Sequence, residues 1–236
     1  MTKSTLILAS GLTRTFGSGD NVVKALHDVS LKVSAGELVA IMGTSGSGKS
    51  TLLAALGGLD AIDGGFVEID GQMLANLKGY EAAALRRQSL GFVFQDLNLV
   101  ASLTVRENIA LPLELDGMAP RDVAALVTSA LEEMSLSEIA HRYPDQVSGG
   151  QRQKAAVARS FIGNRKILLA DEPTGALDSR SSEEVIRLIR SKIDQGLAGV
   201  LVTHDAKIAA WADRILIMRD GEIVEEIDSQ SSNGAS

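Results

Sequence analysis

The chain has 236 residues, 45% of them hydrophobic, which is enough to bury a sizeable core and fits one large α/β domain. A formal net charge of −7 argues against a broad nucleic-acid footprint, and the absence of cysteine excludes disulfides and thiolate metal sites. No apolar run approaches the roughly 18 residues of a membrane span and the start MTKSTLILAS is no cleavable leader, so the expectation is a cytoplasmic chain, neither spanning nor exported.

In chain order, residues 5–9 and, with a break, 22–33 read as strands, and the apolar run 37–42 leads straight into a glycine-rich turn. Leu52, Leu53 and Leu56 give 49–56 a helical spacing, and 66–69 is a short strand entering the turn Asp70-Gly71. Another strand covers 90–94, after which alternation is lost over 97–115. Over 120–134, Val123, Leu126, Val127, Leu131 and Met134 recur at three- and four-residue intervals and predict a helix. Strands at 166–170, 199–203 and 215–218, separated by helical stretches at 181–193 and 206–212, predict a mostly parallel sheet. A hairpin at Asp220-Gly221 leads into 222–227, and the Ser, Asn and Gly composition from Asp228 onward predicts a disordered tail. There is no internal repeat.

The turn after 37–42 reads Gly43, Thr44, Ser45, Gly46, Ser47, Gly48, Lys49, Ser50, which fits G-x-x-x-x-G-K-[ST]. Small residues let backbone N–H groups surround phosphate oxygens, and the helix that starts here adds unpaired amides and a positive dipole end. Lys49 is placed to reach the β and γ phosphates, Ser50 to offer its hydroxyl to Mg²⁺, and Thr51 to add a phosphate contact. This loop predicts ATP or GTP binding and leaves the reaction open, because kinases, GTPases, helicases and transport ATPases share it.

The apolar strand 167–170 ends in Asp171-Glu172-Pro173. A parallel sheet sets such strand ends beside the phosphate loop. Asp171 is then the expected partner of Mg²⁺ through its water shell, and Glu172 the group that accepts a proton from the attacking water. Pro173 cannot continue a sheet ladder and helps end the strand.

Some twenty residues before Asp171 lies Val147-Ser148-Gly149-Gly150-Gln151-Arg152-Gln153, just ahead of the helical run 155–161. Ser148 and the glycine amides at a helix start form a second anion site. The segment resembles the signature of the ATP-binding cassette (ABC) ATPases. That resemblance implies two subunits paired head to tail, with the signature residues Ser148, Gly149, Gly150 and Gln151 of each closing over the ATP held by the other. It further implies that Gln95 is the Q-loop glutamine meeting Mg²⁺ or the attacking water, that His204 is the switch histidine on the γ phosphate, and that Ala176-Leu177-Asp178 is the D-loop, with Asp178 at the dimer interface. Phe16 stands where the family usually has a tyrosine stacking on adenine; a phenyl ring keeps the stacking face, and core packing is the other reading of that residue. The signature departs slightly, with Val147 for the common leucine and Arg152 and Lys154 in the next turn.

The resemblance covers about 6–227 and implies an α/β P-loop NTPase of the RecA-like type: a mostly parallel sheet core with an N-terminal antiparallel β subdomain and an α-helical subdomain. As one ABC ATPase domain over 4–228, it has its core and β subdomain at about 4–95 and 160–228, its helical subdomain at about 96–159, and a disordered tail at 229–236. The runs 40–53, 56–60, 91–95 and 172–178 look like the MacB/LolD/FtsE-like group, whose members partner a separate integral membrane permease of the FtsX or MacB type. The implied activity is ATP hydrolysis, with ATP and Mg²⁺ as cofactors, by a homodimer at the cytoplasmic face of the membrane. It drives export, efflux or extraction of a peptide, macrolide, lipoprotein or haem, or in one branch regulates cell-wall hydrolysis without transport. A docking groove for the permease is expected near 95–103, with Leu97, Leu99, Val100 and Leu103 exposed unless they belong to the core.

Overall fold

The computed structural model describes residues 3–18 and 21–228, so the tail expected to be disordered lies outside the described residues apart from Asp228. Asp228 itself is the last residue of a strand.

Two sheets organise the chain. The first is antiparallel, with order β2-β1-β4-β5, built from β1 (Thr5–Phe16), β2 (Val23–Ser34), β4 (Gly64–Ile69) and β5 (Gln72–Met73). β1 runs well past the predicted 5–9 because register shifts let it stay paired with β2 through Phe16. The break foreseen within 22–33 is Asp28, which takes a left-handed φ of 57°.

The second sheet has the order β10-β9-β3-β8-β7-β6. Its strands are β3 (Leu38–Met42), β6 (Leu90–Val93), β7 (Ile167–Asp171), β8 (Ala198–Val202), β9 (Arg214–Arg219) and β10 (Glu222–Asp228). The β9-β3-β8-β7-β6 ladder is parallel throughout, and only the edge strand β10 is antiparallel. Among the described residues seven α-helices accompany the sheets: α1 (Lys49–Leu56), α2 (Gly79–Ser89), α3 (Val105–Leu115), α4 (Pro120–Glu133), α5 (Gly149–Phe161), α6 (Ser179–Asp194) and α7 (Ala206–Ala209).

The parallel strands read as continuous apolar runs because both faces are covered. On β3, Leu38 and Ala40 join a core with α3 to α7, while Val39 and Ile41 face the opposite way into a core shared with α1 and the antiparallel sheet. β7 divides in the same manner, Leu168 and Ala170 on one side and Ile167 and Leu169 on the other.

The segment 97–115, where the pattern fails, is organised by a buried polar side chain. Asn108 is fully buried on α3; its Oδ1 accepts the Val100 N–H at 2.7 Å, and its Nδ2 donates to the carbonyls of Val100, Leu103 and Thr104 at 2.9–3.0 Å. Thr104 caps the helix through a reciprocal pair with Glu107. A polar residue at a core position hides the helical period from a reading based on apolar spacing. Asn108→Ala should therefore leave several backbone groups without partners and lower stability by about 2–4 kcal/mol, read as a shift in the urea midpoint at unchanged slope.

Candidate active site

The parallel ladder brings four strand ends together. Ile41 pairs with Val202, Asp171 with Val202, and Val93 with Ala170, so the chain leaves β3, β8, β7 and β6 on one edge. The residues that follow, Gly43, Thr203, Glu172 and Gln95, are thereby neighbours by topology.

The phosphate loop is shaped by close backbone approach. A Cβ on Gly43 would lie 2.2 Å from the Met218 carbonyl, and one on Gly48 would lie 2.2 Å from that of Ala25 while needing a φ of 98°. Only glycine fits either place. Gly48 caps α1 without any side-chain hydrogen bond, and the first turn carries no acidic residue, so its amides stay available to an anion. Lys49 is folded back into the loop: its Nζ donates to the carbonyls of Gly43 at 2.9 Å and Thr44 at 2.7 Å and to Ser47 Oγ at 3.4 Å.

Asp171 ends β7 with only 9% exposure. Burial pushes its carboxyl above the usual carboxylate range, the Glu172 charge adds to that, and the Ser50 hydroxyl and Lys49 oppose it. Among the described residues no three His, Asp or Glu side chains cluster as a metal site. A desolvated carboxylate beside a hydroxyl, on a loop built for phosphate, suits a cation that takes its remaining ligands from phosphate and water.

Glu172 is held on every side. Its backbone has a left-handed φ of 48°, which costs a residue bearing Cβ about 1–2 kcal/mol. Its N–H donates to the Val202 carbonyl at 3.0 Å, and its own carbonyl accepts from Gly175 N at 3.0 Å and from Gln153 Nε2 at 3.3 Å. The carboxylate accepts the His204 N–H at 3.0 Å and the Thr203 hydroxyl at 3.4 Å, and His204 Nδ1 lies 2.6 Å from the same Oε1. That contact raises the imidazole pKa, first through the hydrogen bond and then through the Glu172 charge.

Phe16, at the end of β1, is 40% exposed and carries the Arg14 guanidinium 4.6 Å from its ring centroid. Arg14 is in turn held by Asp60 at 3.0 Å and Asp63 at 3.3 Å. Gln95 is exposed in the turn after β6. The two residues Leu97 and Asn98 follow in left-handed conformation, and their carbonyls accept the two arms of Arg159 at 2.7 Å each. Of the four side chains expected to be exposed there, Val100 is; Leu97, Leu99 and Leu103 are half-buried, with Leu99 packed against the core under α3 and α5.

One cleft of about 420 Å³ gathers Phe16, Gly43, Ser45, Gly46, Gly48, Lys49, Ser50, Thr51, Gln95, Asp171, Glu172 and His204. Thr44 and Ser47 belong to the loop as backbone supports, and Ser47 is buried beneath it. The signature residues are elsewhere. Ser148 caps α5, its Oγ accepting the Gln151 N–H at 3.2 Å while the Gln151 side chain accepts the Ser148 N–H at 2.9 Å. Ser148, Gly150 and Gln151 line a second cleft of about 390 Å³ with Ala176, Leu177 and Asp178, and it shares no residue with the first. Gly149 opens the helix beside Ala176, and a Cβ on Gly150 would press Leu177 at 3.2 Å. The Asp178 carboxylate caps α6, taking the N–H and hydroxyl of Ser181 at 2.9 and 3.0 Å, which hold its carboxyl below the usual range.

Sequence reasoning missed Gln153, Thr203, Arg159 and Arg14. Gln153 carried a signal: it falls at helical spacing with Ala156, Val157 and Ser160, a polar side chain on the buried stripe of α5.

A phosphate loop at the end of a parallel strand, an acidic strand end beside it and a mixed two-sheet architecture define a P-loop NTPase. Residues 26–175 match the ABC transporter family model, and the chain belongs to that family. It is 44% identical over 221 residues to the macrolide export ATP-binding/permease protein MacB of Neisseria gonorrhoeae, covering 94% of this chain and 34% of that protein. With MacB of Aggregatibacter actinomycetemcomitans it shares 43% over 224 residues, 95% of this chain and 35% of the relative. The chain thus spans about a third of the length of these relatives. Among solved structures, the cassette MJ0796 in a dimeric post-hydrolysis state bound to ADP and Pi superposes with a TM-score of 0.91 at 38% identity, over 95% of this chain and 99% of the other. A dimeric structure of MJ0796 described as a bacterial ABC transporter cassette gives 0.88 at 39%, with the same coverage. The chain is an ATP-binding, ATP-hydrolysing cassette of the MacB group.

The raised pKa of His204 means that its ion pair with Glu172 adds stability below the unfolded histidine pKa, and that this is lost as pH rises through the higher folded value. Titrated by NMR, His204 should have a midpoint above about 6.5. Glu172→Gln should bring it back toward that value; an unchanged midpoint would contradict the pairing.

Proposed function

We propose that two copies of this chain enclose two ATP molecules and use their hydrolysis to drive a membrane permease of the MacB type. The observation that carries this reading is the separation of two phosphate-gripping clefts within one chain, one at Gly43 to Thr51 and one at Ser148 to Gln151. A single ATP does not need both; a head-to-tail dimer uses each pair across its interface. The dimeric state of the MJ0796 relative supports the same arrangement.

The geometry supports a role for each residue of the cleft. Adenine stacks on Phe16, whose ring also carries the Arg14 guanidinium. The loop amides and the start of α1 surround the phosphates, and Lys49 exchanges its loop carbonyls for β and γ phosphate oxygens. Ser50, Asp171 and Gln95 are the residues that would hold Mg²⁺, which when bound neutralises phosphate charge. Glu172 accepts the proton of the water that attacks the γ phosphorus as the bond to the β,γ-bridging oxygen breaks, releasing ADP and phosphate. His204, held by that carboxylate, meets the γ phosphate.

The closed dimer prefers ATP and the open one ADP, and this difference in affinity is the work available to a permease. Among the described residues no helix is long and apolar enough to cross a membrane; the membrane part in this reading is a separate permease, and the words ATP-binding/permease in the names of the MacB relatives support such a partner. The permease docks at the groove beside Gln95, whose apolar floor is Leu53, Leu59, Phe92 and Phe94. Its cargo is of the kind handled by exporters, a macrolide, peptide, lipoprotein or haem, and the ATPase sits on the cytoplasmic face. Nucleic acid is not a partner, given the net charge of −7.

Glu172→Gln should keep ATP binding, slow turnover by at least roughly 10², and accumulate an ATP-dependent dimer in size exclusion. Near-normal turnover would remove Glu172 from the role of base. Gentle solubilisation of membranes with the tagged chain should bring down a polytopic permease whose coupling to the chain is weakened by Leu59→Asp. Recovery of the chain with no membrane protein would overturn the transport reading.

A further inference from the structure

Helix α5 sends one buried polar side chain to the catalytic strand end. Gln153 is 3% exposed, lies five residues after the Ser148 cap, and donates from Nε2 to the Glu172 carbonyl at 3.3 Å. Five residues along a helix amount to about 7.5 Å. Glu172 holds a left-handed backbone that persists only because its surroundings fix it. Two of the bonds on its peptide groups, to the Val202 carbonyl and from Gly175 N, come from the neighbouring strand and from its own turn. The contact from Gln153 comes from the helix whose first residues form the signature cleft. The first turn of that helix also packs against the D-loop, where Gly150 meets Leu177 and Ala176.

We propose that Gln153 is a positioning residue that couples closure of the signature cleft on one ATP to the carboxylate that acts on the other. The inference rests on the shared-site reading and on Glu172 as base. In that dimer the start of α5 grips the nucleotide bound by the partner, while Glu172 of the same chain faces its own nucleotide. α5 is a single helix of 13 residues, so displacement of its N-terminus reaches Gln153 with little loss. Gln153 passes that displacement to the peptide following Glu172, and with it to the direction of the carboxylate. Occupancy of one site thereby sets the competence of the other, a coupling between sites that makes hydrolysis cooperative in ATP. A residue that merely satisfied a buried carbonyl would, when replaced, change the unfolding midpoint and leave cooperativity alone.

The test compares wild type, Gln153→Met, Gln153→Glu and Glu172→Gln in steady-state ATP hydrolysis, with binding of a fluorescent ATP analogue measured in parallel. Methionine keeps the length and volume of glutamine without its N–H donor; ionised glutamate keeps the polarity and repels the carbonyl. The expected wild-type curve is sigmoidal. In the Gln153 variants the Hill coefficient falls to about 1 and kcat falls about five- to twentyfold, while nucleotide affinity stays within about twofold. A folded Gln153 variant with wild-type cooperativity, whatever its kcat, overturns the proposal, as does a wild-type curve with no cooperativity. If the methionine variant does not fold, the glutamate variant decides. Normal turnover in Glu172→Gln would instead reject the base assignment, so failure of that reading is distinguishable from failure of this one.

Discussion

Everything in this chain that touches chemistry depends on parallel pairing of β3, β8 and β7. These strands are buried on both faces, so their order and register are fixed by two cores at once. Because they run the same way, their carboxyl ends lie on one edge, and a phosphate loop, an acidic pair and a histidine far apart in sequence emerge within reach of one cleft. A slip by one residue in β7 would turn Asp171 from the cleft toward the opposite face and exchange the side chains that fill the two cores. The energetic cost of such a slip protects the site.

On that edge the protein holds two carboxylates in different surroundings. Asp171 is desolvated at the end of its strand and has a hydroxyl and an ammonium for company. Glu172 stands one residue further on, outside the ladder, with its backbone in a strained pose and its carboxylate shared among a backbone N–H, a hydroxyl and an imidazole. The strain is modest beside the four or more hydrogen bonds that fix it, each contributing about 1 kcal/mol. The result is a carboxylate with a defined direction and, beside it, a histidine whose pKa is raised by the pairing.

α5 links the parts that the strands do not. It starts at the signature, touches the Glu172 carbonyl through Gln153 in its middle, and near its end clamps two left-handed residues after Gln95 through Arg159. Burial lowers the Arg159 pKa without releasing the guanidinium from its carbonyl partners, so the clamp is a charged donor in a poorly solvated place. The turn after β6, the carboxylate end of β7 and the cleft at Ser148 therefore share one helix.

The phosphate loop, the acidic strand end and the parallel alternation were legible in the sequence, because each depends on local spacing or on small residues at fixed positions. Lys49 and Glu172 could be picked out with no knowledge of the fold. Helices α2 and α3 could not, since their periods are diluted by charged residues in one and broken by buried Asn108 in the other. The half-burial of Leu97, Leu99 and Leu103 was equally hidden, because exposure is set by what packs above a side chain and not by its type. By itself the sequence determined that a nucleotide is held and which side chains stand at the strand ends. Only the tertiary structure decided that the signature opens into a cleft apart from the phosphate loop and that Gln153 reaches the carbonyl of Glu172. Both depend on how one helix crosses a sheet, a relation between distant segments that no local spacing encodes.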